Sequence, residues 1–266
     1  MSPRFARPVR IAVQLQPQHA DYQNMRAAAA RVEEAGADVV FIWDHFFPLN
    51  GDADGRHFEC FTVLAALAEQ TSRVEVGSLV ASVGYRNPDL LADMARTIDH
   101  ISDGRVILGV GGGWFQRDYD EYGYDFGTAG SRLDDLGAAL PRIRQRWTRL
   151  NPPPTRDMPI LIGGAGEQKT LRYVAEFGDI WHAFGDADTL RPKVEVLERH
   201  CATVGRNPAE IERSASVFGE PSPDHEALRD LGHTLFTLAA SGPDYDLPHL
   251  PAWISWRDSL NENDPR

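Results

Sequence analysis

Short apolar runs alternate with longer amphipathic stretches along the whole chain. The runs at 9–15, 38–43, 74–80, 106–110, 160–162, 179–183, 211–217 and 233–238 are rich in branched side chains and read as buried strands. Between and after them, 21–35, 57–71, 88–101, 131–150, 167–177, 189–204, 224–231 and 247–260 carry apolar residues at helical spacing. The punctuation agrees, with Gly36 closing the first helix, Pro88 opening the third and prolines at 152–154 stopping the fourth. A glycine and aromatic stretch, 111–127, is expected to be a long loop.

A strand followed by a helix, eight times in 266 residues, implies a parallel sheet with right-handed crossovers and the size of a (β/α)8 TIM barrel. An open doubly wound sheet is the alternative. The last two units are short, so slightly shortened C-terminal units are expected. No linker or charge block divides the chain, and 1–266 is expected to form a single domain.

A net charge of −12 argues against nucleic acid as a partner. No run of about 18 apolar residues suggests a membrane span, and a cytoplasmic protein is expected. Cys60 and Cys201 lie far apart, on helices and without metal-ligand spacing, so both are expected to be reduced and structural, with no metal.

A barrel gathers the C-terminal ends of its strands on one face, where such folds build their sites. Gln14, Gln16 and His19 fall there from the first strand, and Trp43, Asp44 and His45 from the second. Ser78, Ala81, Ser82 and Tyr85 come from the third, Gly111 to Phe115 from the fourth, and Trp181, His182 and Phe184 from the sixth. The fifth supplies the strongest pattern: Ile160-Leu161-Ile162 stops at Gly163, Gly164, Ala165 and Gly166, and a helix follows. Glycines let a ligand approach the backbone, a helix N-terminus favours an anion, and Lys169 lies one turn in. The same glycines also suit a plain strand-to-helix turn, and their spacing is neither the dinucleotide nor the P-loop pattern. An aromatic, glycine-rich mouth with few charges suits a flat conjugated ring with a phosphate tail.

Several residues carry two readings. Asp44-His45 is either a loop cap beside a satisfied histidine or a proton-exchanging site, since an imidazole titrates near pH ~6.5. Trp114 and Trp181 are either ligand contacts or rim packing. Tyr85-Arg86 reads as ordering the loop before Pro88. The acidic run 118–125 matches no calcium loop and reads as solvated. The segment 253–260 reads as barrel packing or a subunit contact.

Four motifs, in order, resemble the bacterial luciferase-like family, and more narrowly its actinobacterial branch of oxidoreductases that use the deazaflavin coenzyme F420. They are Trp43-Asp44-His45-Phe46, Leu79-Val80-Ala81-Ser82 with Tyr85-Arg86-Asn87-Pro88, the stretch 104–114, and 159–166. The resemblance covers about 9–217 and resumes at 242–258. It implies a ring in the barrel mouth with His45, beside Asp44, near its reactive carbon as hydrogen-bond donor or proton relay. It also implies a non-prolyl cis peptide at Leu79–Val80 backing the ring, with Ala81 and Ser82 at its edge. Gly112, Gly113 and Trp114 are implied on the substrate side, with Gly163, Gly164, Ala165, Gly166 and Lys169 on the phosphate. Gln14, Gln16, Trp181 and His182 are the expected remainder of the substrate pocket. Members that oxidise a sugar phosphate carry glutamate where Trp114 stands, and the segment before the fifth strand is shorter here, so a different substrate and a reduced lid are expected.

The expected activity is hydride transfer between deazaflavin C5 and a small organic substrate, in a homodimer served by a separate cofactor-reducing dehydrogenase. The alternatives are an FMN-dependent monooxygenase with a partner reductase, a non-catalytic deazaflavin carrier, and an unrelated phosphate-binding aldolase or isomerase. The last would need a lysine or paired carboxylates at strand ends.

Overall fold

The computed structural model describes residues 7–262. The strands are β1 (Arg10–Gln16), β2 (Val39–Ile42), β3 (Glu75–Ser78), β4 (Ala81–Ser82), β5 (Val106–Gly111), β6 (Ile160–Gly163), β7 (Ile180–Ala183), β8 (Glu212–Ser216) and β9 (His233–Ser241). The helices are α1 (Tyr22–Glu34), α2 (Cys60–Gln70), α3 (Pro88–Ile101), α4 (Gln116–Tyr122), α5 (Ala129–Trp147), α6 (Thr170–Phe177), α7 (Ala187–Val204), α8 (Pro223–Asp230) and α9 (Leu250–Glu262). Every named strand pairing is parallel, and β1 pairs with β9 while β3 pairs with β5, so the sheet closes on itself. This excludes the open doubly wound sheet. No described helix is long and apolar enough to cross a membrane.

Nine strand segments make eight staves, because β3 and β4 are two halves of one. Against β5, Gly77 pairs with Ile107 and Ala81 with Val110, so four steps on one strand match three on the other. The extra residue is a bulge, and the Leu79–Val80 peptide within it is cis. Two glycines let the backbones approach there: a Cβ on Gly109 would strike the Ser78 carbonyl, and one on Gly77 the Ile107 carbonyl.

Inward positions change in kind along the barrel axis. At the N-terminal end Arg10 pairs with Glu75 and with Glu212 (2.6 Å), and Arg156 pairs with Glu75 (2.6 Å). The middle is a small apolar plug that includes Ala12, Val39, Phe41, Ile107, Leu161 and Leu235. Toward the C-terminal end the inward residues become polar or lose their side chains, as at Gln14, Gly111, Gly163 and His182. The larger core lies outside the ring, between strands and helices. There α9 buries Trp253 against Phe236 (ring centroids 5.6 Å), which is one of the two roles expected for 253–260.

Some boundaries differ from the sequence expectation. Helix α2 starts at Cys60 because the Glu59 carboxylate caps it, accepting from Phe61 N (3.1 Å) and Thr62 N (2.6 Å). The stretch 111–127 is not all loop, since it contains α4, closed by Gly123 at φ 71°. The eighth stave, expected to be short, is the longest at nine residues, whereas α8 has eight. Cys60 and Cys201 are buried and unpaired, on α2 and α7.

The charged base gives a stability test. Arg10→Met leaves Glu212, 4% exposed, and Glu75, 19% exposed, without their shared cation. Removing one partner of a largely buried ion pair should cost about 2–4 kcal/mol, read as a shift in the urea unfolding midpoint at pH 7. A loss below about 0.5 kcal/mol would show that the base is indifferent to this cluster.

Candidate active site

The exit from β2 sets one side of the mouth. Trp43 continues the inward alternation, and its Nε1 donates to His57 Nε2 at 3.0 Å. Burial and the neighbouring His45 hold the His57 pKa down to about 4, so the ring is a neutral acceptor at pH 7. His45, with its side chain 12% exposed, sits among aromatic edges: Trp43 at 5.7 Å, Trp114 at 5.7 Å and Phe115 at 5.6 Å. Its Nδ1 lies 2.6 Å from Asp118 Oδ2.

Asp118, in the first turn of α4, is fully buried. This corrects the reading of 118–125 as a solvated loop. Besides His45, its carboxylate accepts from Phe46 N (3.0 Å) and Tyr85 Oη (2.7 Å). Burial and this carboxylate push the Tyr85 phenol above its usual range, which keeps the O–H as a donor. With the Nδ1 proton engaged by Asp118, His45 Nε2 has no protein partner among the described residues. A sequence signal for α4 did exist: Phe115, Tyr119 and Tyr122 are at helical spacing ahead of Gly123.

Asp44 lies apart from this dyad. It is 1% exposed and is gripped by the Arg86 fork, Nη1 to Oδ2 at 2.6 Å and Nη2 to Oδ1 at 3.0 Å. It also accepts from Ser82 N (3.3 Å). Arg86 reaches Glu59 as well (2.6 Å), so Asp44 ties the β4 turn to the start of α2. Ser82 Oγ meets Tyr119 Oη at 2.7 Å, and Gly113, at φ 75°, leaves that contact open because a Cβ there would collide with both oxygens.

The floor of the mouth is the bulge. Gln14 Nε2 donates to Leu79 O (2.6 Å), and the Val80 side chain lies over Gly111 and Gly163, where a Cβ would stand 2.9 Å and 3.0 Å from its methyls. Ala81 is fully buried within the stave. Beyond β6, Gly164 sits at φ 117°, its N–H donating to His182 O (2.9 Å) and its carbonyl accepting from Trp181 Nε1 (2.8 Å). No side chain caps the α6 N-terminus, which leaves donors there for an anion. Lys169 instead points its ammonium at Asp134 (2.6 Å) and Gly130 O (3.1 Å).

The structure places Trp181 and His182 on opposite faces of β7. Trp181 belongs to the outer core and is fully buried, away from the mouth. His182 faces inward, with Nδ1 2.8 Å from Ser214 Oγ and Nε2 3.2 Å from Ser216 Oγ, and burial pushes its pKa down to about 4. The two serines were missed, although Glu212, Ser214 and Ser216 alternate at the strand period. Gln16 lies at the end of β1, where its carbonyl accepts from Tyr245 Oη (2.8 Å), and its side chain meets Gln18 (3.5 Å). Trp114, Phe184 and Phe218 rim the opening at 62, 71 and 76% exposure.

Comparison with known proteins agrees with this architecture. The profile of the family described as luciferase-like monooxygenase matches residues 5–250. An F420-dependent glucose-6-phosphate dehydrogenase of Amycolatopsis mediterranei is 35% identical over 124 residues, 46% of this chain and 37% of that one. A pyrimidine monooxygenase of Stutzerimonas stutzeri is 28% identical over 174 residues, 57% of this chain and 48% of that one. The chain thus spans less than half the length of each of these two relatives. Among solved structures, an F420-dependent secondary alcohol dehydrogenase in complex with an F420-acetone adduct superposes with a TM-score of 0.80 at 16% identity, over 94% of this chain and 98% of that one. That last likeness is one of fold.

The buried neutral histidines give a pH test. His182 stays neutral in the fold down to about pH 4, and His233, under burial and the nearby Arg213, to about pH 3. In the unfolded chain both protonate near pH ~6.5. Their contribution to stability is therefore full above pH ~6.5 and is lost as pH falls toward these folded values, by up to ~1.4 kcal/mol per pH unit for each. Urea midpoints between pH 4 and 7 should show this slope, and His182→Asn should flatten it; equal slopes for the two proteins would sink the assignment.

Proposed function

From the premise that the chain belongs to the luciferase-like monooxygenase family, we propose that it is a deazaflavin-dependent oxidoreductase acting on a small organic substrate. The observation that carries this reading is the His45–Asp118 dyad, opening on a floor kept flat by Gly111, Val80 and Gly163.

The residues fit a tricyclic ring with an anionic tail. Val80 would lie against the ring face, Gly111 and Gly163 leave room that side chains would fill, and the uncapped α6 N-terminus beyond Gly163 to Gly166 would hold the phosphate. When bound, the deazaflavin supplies hydride chemistry at one ring carbon. The protein's part is position, exclusion of water by the Trp43, Trp114 and Phe115 edges, and one proton. His45 Nε2 takes the proton of a substrate hydroxyl in one direction and returns it to a carbonyl oxygen in the other. Asp118 holds Nδ1 and offsets the charge of the doubly protonated ring. Tyr85 and Phe46 N keep that carboxylate from turning away.

The similarity to a pyrimidine monooxygenase favours one other reading, an FMN-dependent oxygenase using the same floor. The aldolase or isomerase alternative has no such support, because Lys169 is engaged by Asp134. Titration with deazaflavin and with FMN, followed by quenching of tryptophan fluorescence, separates the two cofactors. Deazaflavin should bind more tightly; tighter FMN binding with oxygen consumption would transfer the protein to the oxygenase reading. His45→Ala should lower turnover about 10²- to 10⁴-fold while changing the deazaflavin Kd less than about threefold. Retained binding with no turnover by wild type in any reductase assay would leave only the carrier.

A further inference from the structure

The mouth is chemically lopsided. Going round the ring, β2 and β7 stand diametrically opposite, so His45 and His182 come from facing staves. The His45 side is backed by a buried carboxylate, whereas the β7–β9 side is backed by hydroxyls. The segments following those three staves, 184–188, 217–222 and 242–249, contain no lysine or arginine. They do contain acids, among them Asp186, Asp188 and Glu220. Phe184 and Phe218 stand exposed on the same rim.

We propose that Ser216, backed by His182 and the buried Ser214, forms the substrate subsite of this mouth, and that it takes an uncharged molecule with one hydroxyl or carbonyl on an apolar body, to the exclusion of phosphorylated and carboxylate substrates. This rests on the proposed function only in placing the redox ring against the remaining side of the mouth.

The hydrogen-bond inventory supports it. A neutral imidazole has one donor and one acceptor nitrogen, and both nitrogens of His182 contact a serine. The hydroxyl that accepts from the ring N–H keeps its own proton to give to a carbonyl. The hydroxyl that donates to the other ring nitrogen keeps lone pairs for an alcohol. Ser214 is sealed from solvent, so Ser216 is the hydroxyl that meets a ligand; exchanging the tautomer turns it from acceptor to donor, so an alcohol and its ketone both find a partner without any change of charge. An anion has no such match. It would surrender hydration to hydroxyls and meet Asp186 and Glu220 at the rim. The exposed rings of Phe184 and Phe218 suit an apolar body.

The test uses matched pairs: cyclohexanol against cyclohexyl phosphate, and cyclohexanone against 4-oxocyclohexanecarboxylate. Their binding is measured by saturation-transfer NMR on the full chain, with and without deazaflavin. The neutral member of each pair should bind at least about tenfold more tightly. Ser216→Lys should raise carboxylate affinity about tenfold. Should that variant misfold, Ser216→Ala should weaken the neutral ligands about three- to tenfold and leave the deazaflavin Kd unchanged within about twofold. Equal affinity within the pairs, no binding of either neutral member, or neutral affinity untouched by Ser216→Ala overturns the proposal. A preference for neutral ligands in a protein that deazaflavin fails to quench supports this wall and sinks only the cofactor reading.

Discussion

The site depends on one buried carboxylate. Asp118 has no solvent exposure, and a carboxylate withdrawn from water costs several kcal/mol unless its oxygens are met by donors. Three donors meet it, from two different loops: His45 Nδ1 and Phe46 N from the β2 exit, and Tyr85 Oη from the β4 turn. Each charge-assisted bond contributes about 1.5–3 kcal/mol, so the three together can hold an ionised group that one could not. The consequence is geometric. Strands β2 and β4 and helix α4 meet at a single atom group, and the ring of His45 is fixed as a result.

The barrel then supplies space. A closed parallel ring has only inward and outward positions, and inward ones must be filled unless glycine or a bulge keeps them open. Below the mouth the Phe41 and Leu161 layer and the Arg10 cluster fill the interior, making this a blind cavity by construction. At the mouth Gly111 and Gly163 are empty positions, and the extra residue of the third stave lays Val80 across them. Backbone geometry of the third stave, rather than a large side chain, thus sets the height of the floor.

Most of this was legible wherever a residue's role depends on periodicity. The eight units, the bulge at Leu79–Val80, His45 and the glycines after β6 all lie in patterns of fixed spacing or in motifs that carry a resemblance. What escaped depended on partners distant in sequence. Asp118 looks like any other acid in a polar run, and only the fold shows that it meets His45, 73 residues away. Asp44 is adjacent to His45 in sequence, yet its carboxylate turns to Arg86, which is 42 residues on. Trp181 and His182 illustrate strand alternation: neighbouring residues necessarily face opposite sides, so only one of them could reach the mouth. Lys169 shows that a cation at a helix N-terminus is no evidence for a ligand when an acid such as Asp134 lies within reach.

The two facing histidines show how one side chain is made to serve two ends. His45 has a carboxylate on Nδ1, so a proton arriving at Nε2 creates an ion pair instead of an isolated buried charge. His182 has only hydroxyls, which cannot offset a positive ring, and burial holds its pKa to about 4. The second therefore stays neutral at neutral pH, whereas a charge on the first would face a carboxylate. His57, also held to about 4, sits behind Trp43 and adds no second proton carrier to the His45 side. A mouth with a carboxylate-backed imidazole on one side and a hydroxyl-backed imidazole on the other is electrostatically asymmetric. In the proposed reaction proton traffic would stay on the β2 side, and a substrate at β7 and β8 would be held by groups whose charge stays fixed.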